Sequence, residues 1–205
     1  MDEQAILSSL VSHALLLGVS DAKIFDPGLI AVDDKFPGFC REPRCPGFGQ
    51  SMSCPPNVEG PDWFRACLER ADHVLVFKFD VPSTTLLSDD RHDVTRLIHD
   101  TASAIERFAV GKGYKQSAGF AGGSCRQLFC AEHDACRVLA KQGECRHPEI
   151  ARPSMSGMGV DVLKLTRLAG WKNRFFTTKD GPANSDSPDD AVSMGFMAGL
   201  VLLER

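Results

Sequence analysis

The segment His73-Val74-Leu75-Val76-Phe77-Lys78-Phe79 is the clearest indication of the fold of this chain. It is rich in β-branched and aromatic side chains, which predicts a strand. A helix is predicted before it, from Pro61 through about Asp72, and the longest helix of the chain is predicted after it, at roughly residues 92–111. In that longer helix, apolar side chains recur on one face at Val94, Leu97, Ile98, Ala102, Ile105 and Phe108.

Further elements extend this alternation of helices and strands in both directions. The sequence therefore predicts a mixed α+β fold of the α/β class, sandwich-like and formed as one domain over residues 1–205, with cysteine-rich metal-binding loops that interrupt it. Pro and Gly make 36–62 a loop region. A polar stretch at 82–91 leads into the longest helix, and the polar stretch 179–190 is predicted to be a mobile surface loop. The remaining predicted elements are helices at 3–17 and 159–169 and strands at 22–25, 116–120, 171–177 and 197–203.

Charge and hydropathy exclude several classes of function. The net charge of −4 and the isoelectric point near 5.9 argue against binding to nucleic acid or to an anionic membrane surface. No apolar run reaches the roughly 18 residues that a transmembrane helix needs. The acidic start Met1-Asp2-Glu3-Gln4 does not fit a secretory signal, so we expect a cytoplasmic protein.

Eight cysteines are the strongest chemical signal in the sequence. Thiols stay reduced in the cytoplasm, where a cysteine cluster binds metal or reacts more often than it forms disulfides. Seven of the cysteines form two groups on loops rich in Gly and Pro. We call Cys40, Cys45 and Cys54 the first cysteine group, and Cys125, Cys130, Cys136 and Cys145 the second cysteine group.

The spacing of both groups favours iron–sulfur chemistry. Loops let several thiolates converge on one centre and leave backbone N–H groups free to face its sulfides, and Pro follows Cys45 and Cys54 directly, as in ferredoxin-type motifs. The sequence therefore predicts one or two [4Fe–4S] clusters with these seven cysteines as metal ligands. Zinc is the alternative cofactor, although the gaps of five and eight residues fit the usual zinc spacing poorly. Cys67 lies inside a predicted helix and is predicted to be a packing residue.

A cluster of polar residues follows the last cysteine. Arg146, His147 and Arg152 would raise the reduction potential of a nearby anionic cluster or hold an anionic substrate. The simpler interpretation is that Arg152 pairs with Asp161 and braces the loop. His133, between Cys130 and Cys136, is predicted to be a surface or hydrogen-bonding residue rather than a ligand.

The combined motif resembles a known family. Its residues are Cys40…Cys45-Pro46-Gly47…Cys54-Pro55-Pro56, then Gly123-Ser124-Cys125…Cys145, then Arg152-Pro153-Ser154-Met155 and Gly159-Val160-Asp161. They are similar to the predicted metal-binding proteins known as domain of unknown function 2284. This resemblance implies a cysteine-ligated centre of iron–sulfur type without an established reaction. The second cysteine group is more widely spaced here than the Cys-x2-Cys usual in that family.

Two kinds of function follow from this prediction. The first is a redox protein that passes single electrons to a partner protein, or that acts on a small-molecule substrate at an open iron site of the three-cysteine group. The second is a zinc-stabilised structural or interaction domain without redox activity. Substrate, redox partner, cluster count and oligomeric state are not specified by the sequence.

Overall fold

The computed structural model describes residues 2–43, 45–171 and 194–205. The chain forms a four-stranded antiparallel sheet in the order β1-β2-β4-β3, with helices against it. The mixed α/β fold predicted from the sequence is confirmed. The strands are β1 (Asp21–Phe25), β2 (His73–Pro82), β3 (Ala118–Phe120) and β4 (Met194–Leu203).

Seven α-helices and one 3-10 turn (Pro27–Leu29) lie in the described part of the chain. The two long helices and the helix before β2 lie close to their predicted bounds. Three short helices fall in stretches for which the sequence predicts no helix, because one or two turns are too short to leave a periodic pattern. The helices are α1 (Glu3–Leu16), α2 (Phe36–Phe39), α3 (Pro61–Arg70), α4 (Ser83–Leu87), α5 (Arg91–Gly111), α6 (Cys125–Phe129) and α7 (Val162–Leu168).

The central strand β2 is buried on both faces, which explains its nearly continuous apolar sequence. Leu75 and Phe77 point to the face covered by α1 and α5, where Leu10, Ile98, Ile105 and other apolar residues pack. Val74 and Val76 point to the opposite face. Successive side chains of a strand alternate between faces, so one strand serves two cores.

The second core is built from shorter elements than the first. It contains Phe64 of α3, Leu165 of α7 and Phe120 of β3, together with Met155 and Met158 from the segment before α7. Predicted helix 159–169 begins later than expected, at Val162, since Asp161 caps it by accepting a hydrogen bond from the Lys164 N–H at 3.0 Å.

The predicted strand 171–177 and polar loop 179–190 lie almost wholly outside the described residues. Trp171 itself is described: it is buried in the second core, and its indole Nε1–H donates to Asp21 Oδ2 at 2.8 Å. Within the described ranges, no helix combines the length and apolar character needed to cross a bilayer.

Three backbone segments align beside the edge strand β3, and this alignment positions the cysteine loops. Ala121, which directly follows β3, pairs in parallel with Ser154. Its N–H donates to Pro153 O, and its carbonyl accepts from Met155 N–H, both at 2.9 Å. Ser154 N–H in turn donates to Ser53 O at 2.9 Å. The sheet edge therefore holds the first cysteine loop against the start of the second.

Gly199 of β4 lies against tightly packed side chains of the first core. A Cβ at this position would lie 2.4 Å from Phe77 Cζ and 3.1 Å from Ile98 Cγ2. We expect Gly199→Ala to lower the free energy of unfolding by about 1–3 kcal/mol, because the ring would have to move within a filled core.

The matched control is Gly111→Ala at the end of α5, where a Cβ meets no atom within 4 Å. Alanine is the better helix former, so this change should leave stability unchanged or raise it slightly. Urea unfolding of both variants measures the difference, and equal stabilities would contradict the described packing of β4.

Candidate metal centre

The second cysteine group surrounds one cavity. Cys125 is the first residue of α6. The other three cysteines lie on the loop that follows this helix, which is held mainly by turns and side-chain hydrogen bonds. A small, largely enclosed cavity of about 20 Å³ separates their side chains. Its lining consists of the four cysteines and five other residues, Ser51, Arg126, Arg137, Val138 and Arg146.

Arginine side chains place positive charge around this cavity. Burial raises the pKa of the Cys130 thiol, and the nearby charges of Arg146 and Arg126 oppose that rise. The Arg126 guanidinium also donates to the carbonyls of Cys130 and His133, which fixes the turn between two cysteines. His133 takes part in this turn through its backbone carbonyl. The arginines stabilise negative charge in the cavity and shape its wall at the same time.

In the second cysteine group, hydrogen bonds to two sulfur atoms favour the thiolate over the thiol form. The backbone N–H of His147 donates to Cys145 Sγ at 3.4 Å. Burial raises the pKa of Cys125, and the hydroxyls of Ser53 and Ser51 oppose the rise by hydrogen bonding. Thiolates are the metal-binding form of cysteine, so these hydrogen bonds favour the state that a metal centre would require.

The first cysteine group lies on the loop between α2 and α3. Cys40 follows α2 directly, and its carbonyl accepts the Cys45 N–H at 2.9 Å. Burial raises the pKa of Cys40, and the neighbouring thiols of Cys45 and Cys54 raise it further. Cys45 is exposed, whereas Cys54 is buried. The three thiols therefore lie near one another and span the loop from its surface to its interior.

The two cysteine groups adjoin each other at Ser53. Its hydroxyl donates to Cys125 Sγ at 2.9 Å and lies 4.0 Å from Cys54 Sγ. The Cys54 thiol approaches the Gly123 carbonyl at 3.8 Å, just before α6. The two cysteine loops, which are distant in sequence, thus adjoin at Cys54 and Cys125, with Ser53 between them.

Each of the eight cysteines, all within the described ranges, carries a free thiol. Cys67 is buried in the second core among apolar side chains, as predicted, and its sulfur accepts a hydrogen bond from Arg70 Nη2 at 3.3 Å. Among the described residues, no three His, Cys, Asp or Glu side chains are spaced to hold a single metal ion. The predicted ligand roles of the seven cysteines remain a prediction.

The predicted pairing of Arg152 with Asp161 is wrong. Arg152 forms a two-pronged ion pair with Glu106 of α5, from Nε and Nη2 to the two carboxylate oxygens, both at 2.9 Å. It also donates to the carbonyls of Pro148, Glu149 and Ala151. Asp161 caps α7 instead. Arg152 braces the segment after Cys145, and its donors are already engaged rather than free for a substrate.

His99 fastens the two ends of the second cysteine loop to α5. Its Nδ1 accepts the Arg152 backbone N–H at 3.0 Å, so its Nε2 carries the proton and donates to Gly122 O at 3.1 Å. The ring packs edge-on against Phe129, which also contacts the ring of His147. Gly122 precedes Cys125 and Arg152 follows Cys145, so one buried imidazole joins the entry and exit of the loop.

Sequence reasoning missed the serines and most of the arginines of this region. Arg126, Arg137 and Arg146 each follow a cysteine directly, and this repeated Cys-Arg pair was an available signal. Ser53 precedes Cys54, but nothing local indicates that its hydroxyl reaches Cys125, 72 residues away. His99 falls on an apolar helical face and gives no sequence signal of its contacts.

The buried His99 should make stability depend on pH. Burial, reinforced by the charge of Arg152, lowers the pKa of His99 to about 4 from its ordinary 6.5. The unfolded chain then binds a proton below pH 6.5 that the folded chain does not bind until about pH 4. This contribution to stability is therefore complete above pH 6.5 and is lost as the pH falls toward 4.

Between pH 7 and pH 5, we expect the wild type to lose on the order of 2 kcal/mol more unfolding free energy than His99→Gln does. Glutamine keeps a donor and an acceptor but does not titrate. Urea unfolding of both proteins at each pH measures the difference between their slopes. Parallel stability curves for the two proteins would show that His99 does not remain neutral in the fold.

Comparison with known proteins identifies a family for this chain. A family model described as predicted metal-binding protein, domain of unknown function 2284, matches residues 23–202, which include all eight cysteines. No curated protein and no solved structure matches the chain. The chain belongs to the predicted metal-binding protein family, domain of unknown function 2284.

Proposed function

We propose that this protein binds two adjacent [4Fe–4S]-type clusters and passes single electrons between partners. The observation that carries the proposal is the cavity enclosed by all four cysteines of the second group, with the three thiols of the first group beside it. Clusters of this type supply reversible one-electron oxidation and reduction when bound by cysteine thiolates.

The surroundings of the second group suit an anionic cluster. Four thiolates give a [4Fe–4S] centre a net negative charge, and Arg126, Arg137 and Arg146 line the same cavity. Cationic groups and hydrogen bonds to sulfur raise the reduction potential of such a centre. Here the hydrogen bonds come from the Ser53 hydroxyl to Cys125 and from the His147 N–H to Cys145.

The first group suits the exchange of electrons with a partner. Exposed Cys45 brings that group to the surface, whereas buried Cys54 reaches toward Ser53 and Cys125. A redox partner protein that docks near Cys45 would exchange electrons with the first centre. The second centre, behind Ser53, would receive or supply them. The contact between the two groups supports electron transfer over an isolated structural site.

Metal analysis of anaerobically purified protein tests the proposal. We expect about eight irons and eight acid-labile sulfides per chain, with broad absorbance that bleaches on reduction. Cys130→Ala should remove about half of the iron, because it leaves no donor atom at that position and Cys130 belongs to only one of the two groups.

Cys67→Ala is the matched control, since Cys67 is buried in the second core and is not part of either group. It should keep the full iron content even if it lowers stability. A colourless protein with stoichiometric zinc would replace this proposal with a zinc-stabilised structural domain. About four irons in the wild type would reduce it to one cluster.

A further inference from the structure

Ser124 lies between the two cysteine groups with an unpaired hydroxyl. It directly precedes α6, where a serine side chain ordinarily accepts a hydrogen bond from the first turn of the helix. Its hydroxyl makes no such bond, although the residue is only 4% exposed. Among the described residues the hydroxyl has no hydrogen-bond partner at all. A buried polar group left unpaired costs about 1–3 kcal/mol. The Ser124 hydroxyl, unpaired within the described part of the chain, is therefore available to a bound group.

The Ser124 side chain packs against the loop of the first cysteine group. A Cβ on Gly47, two residues after Cys45, would lie 2.7 Å from Ser124 Cβ and 3.1 Å from Ser124 Oγ. The same point lies 3.6 Å from Cys54 Sγ. The hydroxyl and the Cys54 thiol therefore occupy one small region, and only glycine at position 47 leaves room for both.

The first cysteine group has one ligand fewer than a [4Fe–4S] cluster has irons. We propose that Ser124 Oγ is the fourth protein ligand of the centre held by Cys40, Cys45 and Cys54, an inference that rests on the proposed function. Binding forms an iron–oxygen bond and releases the hydroxyl proton to solvent, without change in the oxidation state of the iron. An oxygen donor can bind iron beside other ligands, as a carboxylate does in non-haem iron sites.

This ligand set links the two cysteine groups covalently through the metal. Ser124 and Cys125 are consecutive, so one dipeptide would bind the first centre with its serine and the second centre with its cysteine. Ser53, which precedes Cys54, makes the reciprocal contact by donating to Cys125 Sγ at 2.9 Å. Each loop thus contributes one serine to the surroundings of the other. A first centre with four protein ligands has no open iron for a substrate, which favours electron transfer.

Mild oxidation tests the ligand. Ferricyanide takes one electron from a [4Fe–4S]²⁺ cluster, and the resulting [4Fe–4S]³⁺ cluster loses Fe²⁺ from its least secured corner to leave [3Fe–4S]⁺. We expect Ser124→Ala to release about one iron per chain and to give the EPR signal of [3Fe–4S]⁺. The wild type should release several-fold less iron under the same conditions.

Two further variants separate a ligand from a packing residue. Ser124→Cys replaces the oxygen donor by a thiolate and should resist iron loss as the wild type does. Ser83→Ala is the matched control, because Ser83 is the other described residue with a buried, unpaired hydroxyl and it lies at the start of α4. It should also behave as the wild type.

The outcomes distinguish this inference from the function on which it rests. If the wild type binds two clusters and Ser124→Ala retains its iron as well as the wild type does, Ser124 is not a ligand and only this inference fails. If Ser83→Ala and Ser124→Ala lose iron equally, the effect comes from destabilisation and the inference also fails. A wild-type protein without iron and sulfide would overturn the proposed function itself.

Discussion

The hydrogen bond from Ser154 N–H to Ser53 O aligns the first cysteine loop with the chain segments beside β3. The same Ser154 pairs in parallel with Ala121, whose strand leads into α6 and the second cysteine group. Without this alignment, the two groups would be separate loops on one surface. With it, the hydroxyl of Ser53 reaches Cys125 and the two sets of thiols become neighbours. A few backbone hydrogen bonds at the sheet edge thus fix the position of one cysteine loop relative to the other.

Three of the seven thiols in the two cysteine groups favour their protonated form. Burial raises the pKa of Cys40, Cys125 and Cys130, and neighbouring thiols add to the rise for each. Protonated thiols gain little from the arginines and hydroxyl groups that surround them. Thiolates bound to a cationic centre use all of these contacts, because metal binding displaces the protons and supplies the opposite charge. The bracing by His99 and Arg152, which satisfies their own polar atoms within the protein, keeps the loop in place.

Much of the fold followed from the sequence because it is recorded in local patterns. The apolar stripe of α5 and the run His73–Phe79 mark elements whose burial extends over many residues. The grouping of the cysteines was equally visible, as was the packing role of Cys67. These features depend on residues that are close along the chain, and periodicity and spacing express them directly.

The contacts that join distant segments could not be predicted in this way. Arg152 was expected to pair with nearby Asp161, but it pairs with Glu106, 46 residues away on the helix behind the loop. Ser53 and Cys125 meet only because Ser154 aligns their segments. Neither contact has a local signature, since both depend on how the sheet edge brings three parts of the chain together. The position of Ser124 before α6 is typical of a helix cap, and only the structure shows that its hydroxyl makes no capping hydrogen bond.

We have proposed that two iron–sulfur clusters lie side by side, joined through Ser53. EPR spectroscopy of the fully reduced protein tests it most directly, because two paramagnetic clusters at such short range broaden and split each other's signals. We expect an interaction spectrum in the wild type that collapses to a simple single-cluster signal in Cys130→Ala. A fully reduced wild type with two independent, unsplit signals would contradict the adjacency, and an EPR-silent protein with bound zinc would contradict the iron–sulfur assignment.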